Sequence, residues 1–348
     1  MSTRARAARR ARHQRAPQHG RLVAQGGKPP GLGWLKRIGG LLFFSAVAWL
    51  LVHEAGSIDW PAVLTAAGAY SRPRLLAAAG LAVASLALYS CFDLLGRRYT
   101  GHRLGAAPVL GVTFISYVFN LNLGSLVGAL ALRFRLYSRL GLSIGTITRV
   151  LSLSMLTNWL GYALLAGLVF MLAPPALASH WSSGAWGWPF LGGLLLAAGT
   201  AYLLLCTFSR QRCFNLRGHG LLLPGPALAL VQALMGMGNW LLMGGILFVL
   251  LPGEVPYATV VGVLLVGAAA GAMAHIPAGL GVLEAVFVTL LAGYASKTEV
   301  LAALVVYRMV YYLVPLALAA LAYVAAEALT RRAPTSASAG SGGASPGC

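Results

Sequence analysis

The chain has 348 residues, 58% of them hydrophobic and 9% charged, and its mean hydropathy is +0.77. That balance excludes a soluble globular domain and calls for several membrane spans. Lys and Arg outnumber Asp and Glu by 26 to 7, but they fall between apolar runs, so the charge sets orientation and requires no nucleic-acid partner.

Residues 1–34 are a basic tail expected to be disordered in the cytoplasm, because the tail holds no acid and no apolar run that could bury a core. An Arg-rich, acid-free start also suits an organellar transit peptide, whereas the Ala/Gly/Arg bias of the whole chain favours a bacterial source. The membrane domain is expected over 35–330. Its first span, 38–53, follows Lys36 and Arg37, which places the N-terminus inside. Asp59, Trp60, Pro61 and Tyr70 mark an outside connection with a surface-lying amphipathic turn, and 74–95 returns to Arg97, Arg98, His102 and Arg103.

Residues 104–132 are long enough to cross, but their middle reads Asn120-Leu121-Asn122-Leu123-Gly124-Ser125. A single crossing would leave Arg133, Arg135 and Arg139 outside; a turn at 120–125 keeps all three inside. A re-entrant hairpin entering from the cytoplasm is therefore predicted. Residues 143–172 then cross outward, 174–188 form an external loop, and 188–208 cross back to Arg210, Arg212 and Arg217. The next span, 224–251, goes out to Pro252-Gly253-Glu254-Val255-Pro256.

The apolar run from 257 breaks at Ala274-His275-Ile276-Pro277-Ala278-Gly279-Leu280-Gly281. Pro277 lacks a backbone donor and clashes with the preceding turn, and the glycines relax the backbone just after it, so one continuous helix is not expected. At membrane depth such a break is tolerated only where protein buries it or water reaches it. Ending inside at Arg331 and Arg332 requires a hairpin entering from outside and then one crossing at 300–326. The alternative is two short crossings over 257–294 before that last span. Residues 331–348 are a disordered low-complexity tail.

The fold expected is an all-α polytopic membrane protein, with about six full spans and two re-entrant hairpins, or alternatively eight spans. The order of elements over about 38–172 recurs from the opposite side over 188–326, which is an inverted repeat. Its hairpin tips would meet near the midplane, with half-helices starting at Gly124 and Gly279 turning positive dipole ends toward an anion.

Residues 276–284, Ile-Pro-Ala-Gly-Leu-Gly-Val-Leu-Glu, and residues 307–315, Tyr-Arg-Met-Val-Tyr-Tyr-Leu-Val-Pro, carry a resemblance. So does the stretch from Gly124 to Arg139 with its Gly-Leu-Ser sequel. Together they resemble the lysylphosphatidylglycerol synthase transmembrane-region family, which includes YbhN-like proteins and the flippase half of the MprF proteins. The likeness covers roughly 35–330; the first motif departs from the family pattern in having Asn122 where proline is common. The resemblance implies lipid translocation without lipid synthesis, since the lysyl-transfer domain is missing. A multi-pass protein of a bacterial inner membrane is expected, with both termini in the cytoplasm under the charge rule.

The candidate substrate-binding residues are Gly124, Arg133, Pro277, Gly279, Gly281, Glu284 and Arg308. Glu284 is an intramembrane acid, open to a headgroup contact or proton-linked gate, or to a structural pairing with Arg308. Arg308 lies roughly 12 Å into its span, too deep for easy snorkelling, so it binds a lipid phosphate or neutralises Glu284. Arg133, Arg135 and Arg139 set topology, with Arg133 also placed to guide an anionic headgroup. His275, Asn120, Asn122 and Asn158 read first as structural, Arg149 as a snorkelling residue, and Cys91, Cys206, Cys213 and Cys348 as carrying no chemistry.

No H-E-x-x-H, G-x-S-x-G, paired-carboxylate or P-loop pattern is present, so neither an enzyme nor a cofactor is expected. The expected partners are membrane phospholipids, and the function expected is flipping or transfer of an anionic phospholipid or other lipid-linked anion. The alternatives are a non-transporting scaffold serving lipid-synthesis or envelope proteins and, more weakly, a lipid-headgroup enzyme.

Overall fold

A computed structural model describes residues 59–124, 126–174, 187–209, 213–216, 219–274, 276 and 279–332, which belong to one unit beginning at Asp59. The expected first span at 38–53, both tails, most of the external loop, Arg210, Arg212, Arg217, His275 and Pro277 lie outside these residues.

Asp59 starts helix α1 (Trp60–Gly68) by accepting the Ala62 N–H at 3.1 Å, with Pro61 in the first turn where no donor is needed. The surface turn expected here is thus a short capped helix. Helices α2 (Arg72–Ser90) and α3 (Phe92–Thr100) continue one apolar run through Cys91 and stop at left-handed Gly101.

Helix α4 (Ala106–Leu123) ends at Gly124, and the chain turns back as a π-helical segment (Leu126–Leu132) continuing into α5 (Arg133–Arg139). The returning limb lies directly on α4. A Cβ on Gly128 would collide with the backbone of Asn120, so only hydrogen fits between the limbs. The turn expected at 120–125 is therefore present, although the return begins as π-helix rather than as an α-helix from Gly124.

Ser143 caps α6 (Ile144–Leu172), which packs against α7 (Gly187–Phe208). Helix α7 is apolar on every side yet leaves Phe190, Leu194 and Phe208 exposed, a surface suited to hydrocarbon rather than water. A short antiparallel pair, β1 (Cys213–Leu216) and β2 (His219–Leu222), leads to α8 (Pro226–Leu250).

Helix α9 (Tyr257–Ala274) is followed across the break by α10 (Val282–Leu290), which folds back along it, so that Gly267 faces Leu283 and Val286. Ser296 and Glu299 form a reciprocal cap on α11 (Lys297–Arg308). A π-helical turn (Met309–Leu313) then joins α11 to α12 (Val314–Arg332).

Among the described residues, 7 helices are long and apolar enough to cross a membrane. The protein is an all-α polytopic membrane protein apart from the short strand pair. Length does not separate full spans from hairpin limbs, because α4 and α9, with 18 residues each, pass the same test while lying alongside their own return segments. Helix α8 runs through the centre against α2, α6 and α9, with Trp240, Ile246 and Leu247 in the main core.

Two ends differ in charge. At one, Tyr70 donates to the Leu250 carbonyl at 2.6 Å, and the loops after α1, α8 and α10 gather with the exposed acids Glu254 and Glu299 beside Arg74. At the other, Gly96 meets Val150, and Arg97, Arg98, Arg103 and Arg139 lie around the turns that start α4 and α6.

Candidate functional site at the paired helix breaks

The sequence of the second break dictates its geometry. Gly279 and Gly281 have φ of 58° and 78°, in the left-handed region where a Cβ is strained, so these positions turn the chain without clash. The turn leaves the first N–H groups of α10 without carbonyl partners inside the helix. Glu284 answers one of them, its Oε2 accepting the Gly281 N–H at 2.8 Å.

The other carboxylate oxygen faces Arg308. Arg308 Nε donates to Glu284 Oε1 at 2.6 Å, and its guanidinium lies 5.5 Å from the centre of the Tyr312 ring. Since α11 begins at Lys297, three residues before the expected start, Arg308 lies roughly 17 Å along it. The side chains are 15% and 24% exposed for Arg308 and Glu284, so the pair is lowered into the protein but still reachable.

The first break joins the same place. Asn122, one turn before the first reversal ends, donates to the Val118 carbonyl at 2.9 Å and to the Tyr312 carbonyl at 3.3 Å. Its neighbour Gly124 has φ 85°. Residues 308–312 therefore bridge the two reversals: Arg308 holds the second, and the Tyr312 carbonyl holds the first. At each turn a leucine, Leu123 or Leu280, is 50% exposed.

Arg133 stands apart from this centre. It is 1% exposed, and its Nε lies 3.3 Å from Asp93 Oδ2, which also accepts from Tyr137 OH at 2.8 Å. Arg133 Nε and Nη2 and Asp93 Oδ1 find no well-aligned hydrogen-bond partner among the described residues. Between the two ion pairs runs a set of aromatic rings. Arg133 is within hydrogen-bonding reach of Tyr89, Tyr89 stacks on Tyr117, and Tyr117 OH is 3.0 Å from Tyr311 OH. Tyr311 stacks on Tyr307 and contacts Tyr312, while Ser85 Oγ bonds both Tyr311 OH and Asn239 Oδ1 at 2.8 Å.

Of the seven candidates, Gly279, Gly281, Glu284 and Arg308 come together, Gly124 adjoins them through Asn122 and Tyr312, Arg133 lies in the second cluster, and Pro277 is outside the described residues. Asp93 and the tyrosines were missed. The signal for Asp93 was a carboxylate inside the apolar run that spans α2 and α3. Tyr307, Tyr311 and Tyr312 gave none beyond their place in the 307–315 motif, and Tyr89, Tyr117 and Tyr137 gave none at all. No group of three or more His, Cys, Asp or Glu able to hold a metal occurs among the described residues.

Residues 37–319 match the family described as the lysylphosphatidylglycerol synthase TM region. The inner membrane protein YbhN of Escherichia coli is 47% identical over 85% of this chain and 94% of its own length. An uncharacterized protein of Synechocystis, slr0712, is 30% identical over 85% of this chain and 92% of its own length. The phosphatidylglycerol lysyltransferase of Staphylococcus haemolyticus is 25% identical over 83% of this chain, which covers 34% of that longer protein.

Proposed function

This chain belongs to the lysylphosphatidylglycerol synthase TM region family, and on that premise we propose that it moves an anionic phospholipid, or another lipid-linked anion, past its two helix breaks. It is a polytopic inner-membrane protein. The observation that carries the proposal is the bridge at residues 308–312, which ties both reversals to one partly exposed ion pair inside an apolar domain.

An isolated arginine at this depth would be costly. Glu284 removes that cost at rest, and a lipid phosphate can take its place by accepting the same planar donors. The exposed leucines at the two turns offer acyl chains an apolar path beside the polar one. Arg133, sealed against Asp93, anchors the first hairpin in this reading while Arg308 meets the headgroup.

In this reading an inverted repeat gives two-sided access, with α2 matched to α8, the hairpin of α4 to that of α9 and α10, and α6 to α11 with α12. Contacts of α2 with α4 and of α8 with α9, and of α4 with α12 and of α9 with α6, support that matching. The arginine-rich end faces the cytoplasm under the charge rule, with both termini on that side. In this reading the hairpins are re-entrant, and the chain transports without being an enzyme.

Reconstitution into vesicles with a fluorescent phosphatidylglycerol, followed by an impermeant quencher, measures leaflet exchange. The protein should accelerate exchange, and Glu284→Gln and Arg308→Lys should each lower the acceleration by about tenfold while remaining folded. Full acceleration in both variants would remove the central pair from the path. No acceleration by the unaltered protein would favour the scaffold reading, and conversion of the lipid itself would favour an enzyme.

A further inference from the structure

A cavity of about 380 Å³ opens at the arginine-rich end, lined by Leu94, Arg97, Arg98, Gly101, His102 and Ala106. It lies at the surface turn between α3 and α4, apart from the Glu284–Arg308 centre. Three features converge on it. Arg97 and Arg98 stand in the last turn of α3 and form no ion pair or side-chain hydrogen bond among the described residues. Helix α4 begins at Ala106, which lines the cavity, behind Gly105, which has no side chain to cap it; the Ala106 and Ala107 N–H groups have no helical acceptor, Pro108 has no N–H, and the positive dipole end lies at the cavity wall.

The third feature is His102. Both ring nitrogens are shut off from solvent, and neither has a hydrogen-bond partner among the described residues. Burial, reinforced by the positive charge of Arg97, holds this imidazole below the usual histidine value, while Asp93 pulls weakly the other way. Asp93 itself makes its contacts with Arg133 and Tyr137, so it does not neutralise the cavity. His102 is only partly buried, but two occluded ring nitrogens without a partner are uncommon in a settled structure. Rotation toward an entering anion would supply the missing acceptor.

We propose that this cavity binds a phosphate-ester anion, held by the planar donors of Arg97 and Arg98, the first turn of α4 and the His102 ring. Arginine presents paired donors that match phosphate oxygens, and a helix start adds backbone donors of the same sign. The complementing of the α3 dipole by the two arginines uses their charge but leaves those donors unspent. The site goes beyond the translocation reading and stands whether or not the chain moves lipid. Two sources share the chemistry: the headgroup of an anionic lipid in the adjoining leaflet, and a soluble phosphate.

The test is binding of spin-labelled phosphatidic acid to the full chain in phosphatidylcholine vesicles, with the motionally restricted fraction measured by electron paramagnetic resonance. Arg97→Gln and Arg98→Gln should each weaken retention about fivefold. Arg72→Gln, at the opposite end, should change nothing. Arg98→Lys keeps the charge and the membrane orientation, and should fall between the unaltered protein and Arg98→Gln. In a parallel arm, inorganic phosphate is titrated against the protein in phosphatidylcholine alone, and ³¹P line broadening is followed. Retention weakened by Arg97→Gln with no ³¹P broadening assigns the site to the lipid, and broadening abolished by Arg97→Gln assigns it to a soluble phosphate. Equal lipid retention by the unaltered protein and all arginine variants with the same thermal transition, together with no broadening, would overturn the proposal.

Discussion

The two ion pairs, Asp93–Arg133 and Glu284–Arg308, join the same chemical groups in opposite settings. The first is 0% and 1% exposed, bonded sideways to Tyr137 and built into the packing of α3, α5 and α6. The second is 24% and 15% exposed, lies at the mouth of a glycine turn, and has one carboxylate oxygen occupied by backbone. Burial makes a charge pair costly to break, whereas exposure makes it exchangeable. The difference teaches that an intramembrane arginine is not by itself a ligand site; what surrounds its partner decides whether another anion can replace it.

The comparison is most easily broken at Arg133. Replacing it with Met leaves Asp93 charged and alone, and should cost about 3–5 kcal/mol or prevent folding, read from the thermal transition in detergent. Adding Asp93→Asn to that variant should recover most of the loss, since an uncharged pair of similar volume is tolerated; no recovery would mean that the pair does more than neutralise charge. Gly281→Ala, forced to hold a positive φ, should cost about 1–2 kcal/mol on the same scale. Tyr311→Phe strips the Tyr117 hydroxyl of its partner in the core between the pairs, and should cost about 1 kcal/mol.

Glu284→Gln should move stability least, by about 1 kcal/mol or less, because the pair is partly open and the amide oxygen can still accept the Gly281 N–H. Its effect belongs instead to leaflet exchange. A Glu284→Gln transition lowered as far as that of Arg133→Met would erase the distinction between the pairs.

Much of the framework was legible because proline, glycine and asparagine have backbone or polar consequences wherever they stand. Asn120 to Ser125 and Gly279 to Gly281 marked both reversals, and the parity of the arginines supplied only an expectation of the side on which the first one opens. The pairing of Glu284 with Arg308 was one of two weighed outcomes, since spacing brings residues near a turn without saying what they bond. Arg133 was harder. It begins an Arg-x-Arg run that reads as a surface charge, and only the packing of the returning limb on α4 and α6 turns it inward. Asp93 hid for the same reason, sitting near the end of an apolar run where an acid usually meets water. The π-helical segments had no mark in composition, because a hydrogen bond displaced by one residue uses the same side chains as an α-helix.

The π-helical turn at Met309–Leu313 has one more effect. Accommodating an extra residue in a turn shifts everything after it by about 100° around the helix axis relative to an unbroken α-helix. Arg308 can thus face Glu284 on one hairpin while Tyr323, half a helix later, faces Phe119 on the other. Removing a single residue between 309 and 313 would act as a phase error, turning one contact away while leaving the composition of the helix almost unchanged.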